Sequence, residues 1–273
     1  MLLAIDIGNT NIVLGLLELP NGSKKKSLEG EKKLIHCWRL STFHDRTADE
    51  YSTLITSLFH QADISPKHVK GVALSCVVPP LQNPFVSVIH TLFGVNPVVI
   101  GPGTKTGMSI LYDNPKEVGA DRIVNAIAAY HRFKKACIIV DFGTATTFDL
   151  VNSEGQYAGG VIAPGIAISA EALFQRASKL PRVDVVAPNR VIGKNTVSSM
   201  QSGLYYGYLG LVDRIVKEIL KEGKYIKNDV KILATGGFAP LLIQDSELIE
   251  TIIPHLTLEG LEIVYHMNQK PKS

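Results

Sequence analysis

Cysteine is scarce and scattered. Only Cys37, Cys76 and Cys137 occur in 273 residues, an odd number at wide spacing, and two of them sit in strand-like runs. That pattern suits reduced core thiols better than a disulfide framework or a zinc site, so a reducing cytoplasm is the expected setting. Long apolar runs are missing as well: nothing approaches the ~20 residues of a membrane span. Met1 to Ile5 is apolar but is cut by Asp6 and carries no basic leader, so it does not read as a signal peptide. Charge of one sign is also absent, with 28 Lys and Arg against 25 Asp and Glu, a net of +3. Much of that excess comes from Lys24-Lys25-Lys26 and Lys32-Lys33, near Gly22 and Gly30 in a polar stretch expected to be a solvated loop. No aromatic residue interleaves with those lysines, and no nucleic-acid partner is expected. The eight histidines show neither metal-ligand spacing nor a neighbouring nucleophile.

What is present is a near-repeat. A strand-like apolar run ends in an acid and a small-residue turn twice, at Leu2-Leu3-Ala4-Ile5-Asp6-Ile7-Gly8-Asn9-Thr10 and at Cys137-Ile138-Ile139-Val140-Asp141-Phe142-Gly143-Thr144-Ala145-Thr146. Each buried strand would deliver a carboxylate to its end, where an unpaired charge is costly unless a cation, donors or solvent meet it. The glycine then lets backbone pass closely around a ligand. A nucleotide phosphate with its metal suits such a turn, because Asn, Thr and backbone N–H groups donate while the Asp holds a cation directly or through water. Either acid could instead cap its own turn. Finding both in one arrangement makes the shared ligand the stronger reading.

The repeat is offset by about half the chain, which points to two related halves, 1–115 and 116–273. In the first, Ile12 to Leu17 alternates as a second strand, Leu34 to Leu40 as a third, and Ala48 opens a helix with Leu54, Ile55, Leu58 and Phe59 on one face. Gly71 to Val78 reads as a buried strand stopped by Pro79-Pro80, followed by a further helix and strand to Ile100. Gly101-Pro102-Gly103-Thr104-Lys105-Thr106-Gly107 matches neither a P-loop nor a dinucleotide fingerprint, and Ser109 to Tyr112 after it reads as strand. In the second half a helix from Val118-Gly119-Ala120-Asp121-Arg122 leads into the second acidic turn. Strands at 146–151 and 157–162, helices at 168–174 and 204–220, a strand at 230–234 and a glycine turn at Thr235-Gly236-Gly237-Phe238 follow. Strands followed by crossing helices, twice over, describe an α/β fold.

Asp121 and Arg122 stand together at a helix start. The helix dipole there favours an ionised carboxylate able to accept a proton, although ordinary capping would also account for the Asp. An arginine is unfavourable at that end, and an anion it must bind, such as a substrate carboxylate, explains it better. Thr196, after Gly193-Lys194-Asn195, reads equally well as a plain helix cap. Gly236-Gly237 reads equally as a simple strand-to-helix turn or as bare backbone under an adenosine ring.

In this order the motifs Asp6 to Asn11, Gly101 to Gly107, Tyr112-Asp113-Asn114-Pro115, Gly119 to Arg122, Asp141 to Thr146 and Gly236-Gly237 resemble those of the type III pantothenate kinases, over nearly the whole chain. That family is a branch of the acetate and sugar kinase, Hsp70 and actin superfamily. The resemblance implies two ribonuclease H-like, actin-like ATPase halves with a nucleotide cleft between them, usually in a homodimer. The reaction it implies is ATP-dependent phosphorylation of pantothenate, the first committed step toward coenzyme A. It places ATP phosphates on Asp6, Ile7, Gly8, Asn9, Thr10, Asn11, Ile12 and Val13, with Thr144 also on ATP. Asp121 becomes the proton acceptor, and Tyr112, Gly119, Ala120, Asp121, Arg122 and Thr196 become pantothenate contacts. Asp141 is assigned a potassium or ammonium ion, and magnesium accompanies the ATP. Pro20 to Lys33 departs from the pattern as a long basic insertion, expected to be peripheral. Two other functions compete: a non-catalytic accessory protein of transcription control from the same family, which could dispense with Asp6, Asp121 or Arg122, and a kinase for another small acceptor.

Overall fold

A computed structural model describes residues 1–19 and 34–269; the basic insertion from Pro20 to Lys33 lies outside them. By contacts the chain forms two compact units, one of Met1–Gly107, Lys116–Ile127 and Thr257–Ser273, the other of Met108–Pro115 and Ala128–Leu256.

The first unit is built on a five-stranded sheet of β1 (Leu2–Ile7), β2 (Asn11–Leu17), β3 (Leu34–Ser41), β4 (Gly71–Cys76) and β5 (Val98–Val99), in the order β3-β2-β1-β4-β5. β1 pairs antiparallel with β2 and parallel with β4. It is the central strand, covered on both faces, which is why Leu2 to Ile5 runs apolar without alternation and is fully buried. α1 (Ala48–Gln61) starts on a capping box in which Thr47 and Glu50 satisfy each other's backbone N–H groups, and it buries Tyr51, Ile55 and Phe59. The strand expected over Gly71 to Val78 ends at Cys76, and Pro79-Pro80 both stop it and open α2 (Pro79–Phe93). Proline lacks the N–H that the first helical turn leaves unused, so the same pair suits both tasks.

The second unit repeats this plan with β6 (Ala136–Phe142), β7 (Ala145–Val151), β8 (Tyr157–Pro164), β9 (Val230–Gly236) and β10 (Thr251–Ile252), in the order β10-β9-β6-β7-β8. β6 again has an antiparallel hairpin partner, β7, on one side and a parallel strand, β9, on the other. The sequence repeat is thus a repeat of topology, as expected for two ribonuclease H-like halves. α3 (Ala120–Phe133) precedes β6, while α4 (Ile166–Arg176) and α5 (Thr196–Glu222) follow β8. α5 begins well before the expected Leu204. Between β9 and β10 lies the short α6 (Ala239–Leu242).

Two features differ from the expectation. Ser109 to Tyr112 forms no strand: a single bridge joins Ile110 to Tyr157, with hydrogen bonds from Tyr157 N to Ser109 O at 2.9 Å and from Leu111 N to Tyr157 O at 2.8 Å. One bridge pins the segment without extending a ladder, because only the Ser109 carbonyl and the Leu111 N–H, on either side of Ile110, meet Tyr157. The second is α7 (Leu256–Met267), which has no sequence expectation and belongs to the first unit. It sits where strands present bare backbone: a Cβ on Gly15 of β2 would stand 2.5 Å from Leu258 Cδ1, and one on Gly71 of β4 would overlap the Tyr265 ring. Thr257 Oγ1 donates to Asn125 Oδ1 at 2.8 Å, tying α7 to α3.

Candidate active site

In the first unit Asp6 is the penultimate residue of β1, in register with Ser75 of β4 and Val13 of β2. Strand neighbours in register project to one face, so the acid shares its surroundings with the buried Ser75. The turn beyond is closed by Gly8 N donating to Asn11 O at 3.0 Å. Thr42, just past β3, braces it: its N–H donates to Thr10 O at 3.0 Å and its Oγ1 to Gly8 O at 2.7 Å. Asn9 and Thr10 are exposed at the tip, whereas Ile7 and Ile12 are fully buried, so those two could serve a ligand only through backbone. Ile7 O already accepts from Val77 N at 3.0 Å.

Val77 also connects this turn to the second motif of the unit. A Cβ on Gly119 would stand 3.7 Å from Val77 Cγ1 and 2.5 Å from Asp121 Oδ1, so glycine there leaves space for the Asp121 carboxylate. Ala120 opens α3, Asp121 lies in its first turn, and Asp121 Oδ1 accepts from Arg122 N at 2.8 Å. Burial pushes the Asp121 carboxyl above the ordinary range, while the Arg122 N–H and guanidinium charge pull the other way. A carboxylate raised in this way is a better proton acceptor than a free surface one. Arg122 is itself buried, at 7 % exposure.

In the second unit Asp141 occupies the matching place on β6, in register with Thr147 of β7 and Thr235 of β9. Gly143 N donates to Ala145 O at 3.1 Å, closing a turn that leaves Gly143 and Thr144 exposed. Gly165 backs this turn, its N–H donating to Thr144 O at 3.1 Å, and any Cβ at Gly165 would overlap the carbonyls of Thr144 and Gly143. Thr146 is buried, and its Oγ1 has no hydrogen-bond partner among the described residues.

Tyr112 packs its ring at 6.4 Å from that of Tyr157, whose hydroxyl donates to the buried Asp149 at 2.6 Å. Thr196 turns out not to be a cap. Asn195 is the N-cap of α5, accepting from Ser198 N at 2.8 Å, and Ser198 Oγ in turn accepts from Asn195 N at 3.3 Å. Released from capping, Thr196 lines a groove of about 870 Å³ together with Lys194, Met200, Tyr208 and Pro164. That volume suits a small metabolite. Pro164 adjoins Gly165, so the groove wall runs on into the Thr144 turn.

Within each unit, then, the sites named from sequence are neighbours: the Asp6 turn with Gly119 to Arg122 in the first, Asp141 with the Thr144 turn and the Thr196 groove in the second. Sequence reasoning missed Thr42, Gly165 and Tyr157. Gly165 alone had a visible signal, as a glycine directly after a strand. No group of three or more His, Cys, Asp or Glu side chains among the described residues is placed to hold a metal. A lone strand-end carboxylate still suits a magnesium ion that takes its remaining ligands from phosphate and water. Around Asp141 the available donors are oxygens, from the carboxylate, the Thr hydroxyls and the turn carbonyls, as a hard monovalent cation requires.

The family model described as type III pantothenate kinase matches residues 2–218. A type III pantothenate kinase from Geobacter sulfurreducens is 53 % identical over 270 residues, covering 99 % of this chain and 100 % of its own. Among solved structures, a candidate 2-dehydro-3-deoxygalactonokinase from Sinorhizobium meliloti superposes with a TM-score of 0.60 at 9 % identity, covering 100 % of this chain and 98 % of its own. A candidate Baf family transcriptional activator from Campylobacter jejuni gives 0.59 at 17 % identity, covering 97 % and 98 %. These two structural likenesses speak to the fold alone.

Proposed function

The chain belongs to the type III pantothenate kinase family, and we propose on that premise how its own residues carry the reaction. The activity is transfer of the γ-phosphoryl group of ATP to the pantothenate hydroxyl, giving 4'-phosphopantothenate for coenzyme A biosynthesis. The single observation that carries the residue assignment is the placement of Asp121: a carboxylate raised by burial, in contact with the turn of Arg122, beside a glycine that keeps room for it.

Phosphoryl transfer asks a protein mainly for positioning and charge neutralisation. The exposed Asn9 and Thr10 and the backbone N–H groups of the Asp6 to Val13 segment bind the ATP phosphates, and Thr144 makes a further contact to ATP. Asp121 accepts the proton of the attacking hydroxyl at its carboxylate. Arg122 forks onto the pantothenate carboxylate, with Gly119, Ala120, Tyr112 and Thr196 forming the rest of its site. Asp6 would hold magnesium and Asp141 a potassium or ammonium ion, each supplying positive charge against the phosphates when bound.

A homodimer accompanies this reading. Its support is the exposed apolar surface of the second unit, where Val191, Ile192, Leu173 and Phe174 are 61, 78, 40 and 40 % exposed and Gly203, Gly207 and Gly210 of α5 face open space. A cytoplasmic location is proposed with it, in keeping with three free thiols. No helix among the described residues is long and apolar enough to cross a membrane.

The deciding experiment measures ADP release from magnesium and ATP, with and without pantothenate, in potassium, ammonium or sodium buffer. Pantothenate-dependent turnover that needs potassium or ammonium is expected. Turnover indifferent to pantothenate would redirect the assignment to another acceptor, and none at all to an accessory role.

A further inference from the structure

Immediately after β3 the chain makes a short excursion, Thr42 to Thr47, before α1 begins. Because Asn11 and Ser41 are partners in the β2–β3 ladder, this excursion starts beside the Gly8 to Asn11 turn. Thr42 fastens it there through the two hydrogen bonds to Thr10 O and Gly8 O. The next residue, Phe43, is fixed on both backbone groups by one buried side chain: its N–H donates to the Tyr51 hydroxyl oxygen at 3.2 Å, and the Tyr51 O–H donates to Phe43 O at 2.8 Å. Phe43 is nevertheless 51 % exposed. The guanidinium of Arg46 lies over that ring, 4.3 Å from its centroid and 5.9 Å from that of Tyr51.

Arg46 is therefore a cation set over two rings, on a loop that Thr42 fastens to the glycine turn. No ion pair engages it among the described residues. Asp49 and Glu50 stand in the first turn of α1, and Glu50 is committed to the cap, accepting from Thr47 N at 2.8 Å and Thr47 Oγ1 at 3.0 Å; those bonds, and after them the charge of Arg46, hold its carboxyl below the ordinary range. The location is also electrostatically adverse, since Arg46 directly precedes the N-cap of α1, where the helix dipole disfavours positive charge. A guanidinium set over ring faces keeps N–H donors with which it can fork onto an anion.

We propose that Arg46 is a phosphate-binding residue of the nucleotide site, supplied by the loop after β3 and aimed at the phosphate chain that the Gly8 to Asn11 turn holds. This rests on the reading of that turn given above and adds a positive charge that no motif of the sequence assigned. An anion there would offset the adverse dipole and give Arg46 the close partner that Glu50, turned to the cap, does not supply. It also gives Thr42 and Tyr51 a purpose beyond loop closure: they set the distance between turn and arginine.

The test compares the full-length protein with Arg46→Met, which keeps the aliphatic cover on Phe43 and loses the charge, and with Arg46→Lys. Charge-assisted hydrogen bonding predicts an ATP KM raised about tenfold in Arg46→Met, with partial recovery in Arg46→Lys. Pantothenate KM and the unfolding midpoint should stay at wild-type values. An ATP KM and kcat within twofold of wild type in Arg46→Met would overturn the proposal, as would a parallel rise of both KM values with a lowered unfolding midpoint, the mark of a purely structural arginine. Asp6→Asn, run alongside, separates the two readings. If it impairs ATP use while Arg46→Met does not, only the arginine assignment fails; if neither does, the reading of the turn fails with it.

Discussion

Gly236, at φ +92°, lays bare backbone against Asp141: a Cβ built on it would stand 2.6 Å from Asp141 Oδ1 and 2.6 Å from the carbonyl of Phe142. The glycine turn after β9 and the acid at the end of β6 are therefore one construction, made possible by the parallel register of Asp141 with Thr235 and of Phe142 with Gly236.

Substituting Gly236→Ala should cost about 1–3 kcal/mol, from the left-handed backbone and the overlap together, read from the urea midpoint at unchanged slope. Gly237→Ala, which meets open space, should move the midpoint far less. If Asp141 holds the monovalent ion, Gly236→Ala also raises the potassium concentration needed for half-maximal turnover.

Asp121→Ala should fold and bind ATP yet lose turnover by about 10²–10⁴-fold, the usual range for a general base. Near-normal kcat would defeat that role.

The same residue has a stability signature of definite sign. Burial holds the Asp121 carboxyl above its unfolded value, so the folded state binds the proton more tightly. Its ionised form therefore opposes folding at neutral pH, and this opposition fades as pH falls through the raised pKa. Asp121→Asn should be more stable than wild type at neutral pH and lose that advantage in acid. Thermal melts across pH check this, and a variant less stable at neutral pH would contradict it.

Arg122→Ala should raise the pantothenate KM far more than the ATP KM. Equal increases would count against a carboxylate contact.

Asn195 and Thr196 should separate cleanly. Asn195→Ala removes a cap and should cost about 1 kcal/mol of stability, while Thr196→Ala should leave the unfolding midpoint in place and raise the pantothenate KM. A stability loss confined to Thr196→Ala would return that residue to a structural role.

The central strands were legible because both faces of β1 and β6 are buried, and burial on both faces writes itself as an uninterrupted apolar run ending in an acid. The start of α1 was legible for a similar reason, since its apolar face is local, whereas α5, capped by Asn195, was expected to begin only at Leu204. Nor was Thr196 legible: Asn195 and Thr196 are both good capping residues, and only the Ser198 contact chooses between them. The stretch from Ser109 to Tyr112 looked like a strand because its composition is right for one, but a strand needs a partner along its length, and it has only Tyr157.

By itself the sequence determined the repeat, the two acids, the glycine turns and the Asp121-Arg122 pair, all features that depend on residues adjacent in the chain. The tertiary structure decided what those residues meet. It returned α7 to the first sheet over Gly15 and Gly71, set Gly236 on Asp141, placed Gly165 behind the Thr144 turn, and used Thr42 and Tyr51 to hold Arg46. Each of these joins residues far apart in sequence through steric fit, and a fit between distant surfaces leaves no local pattern to read.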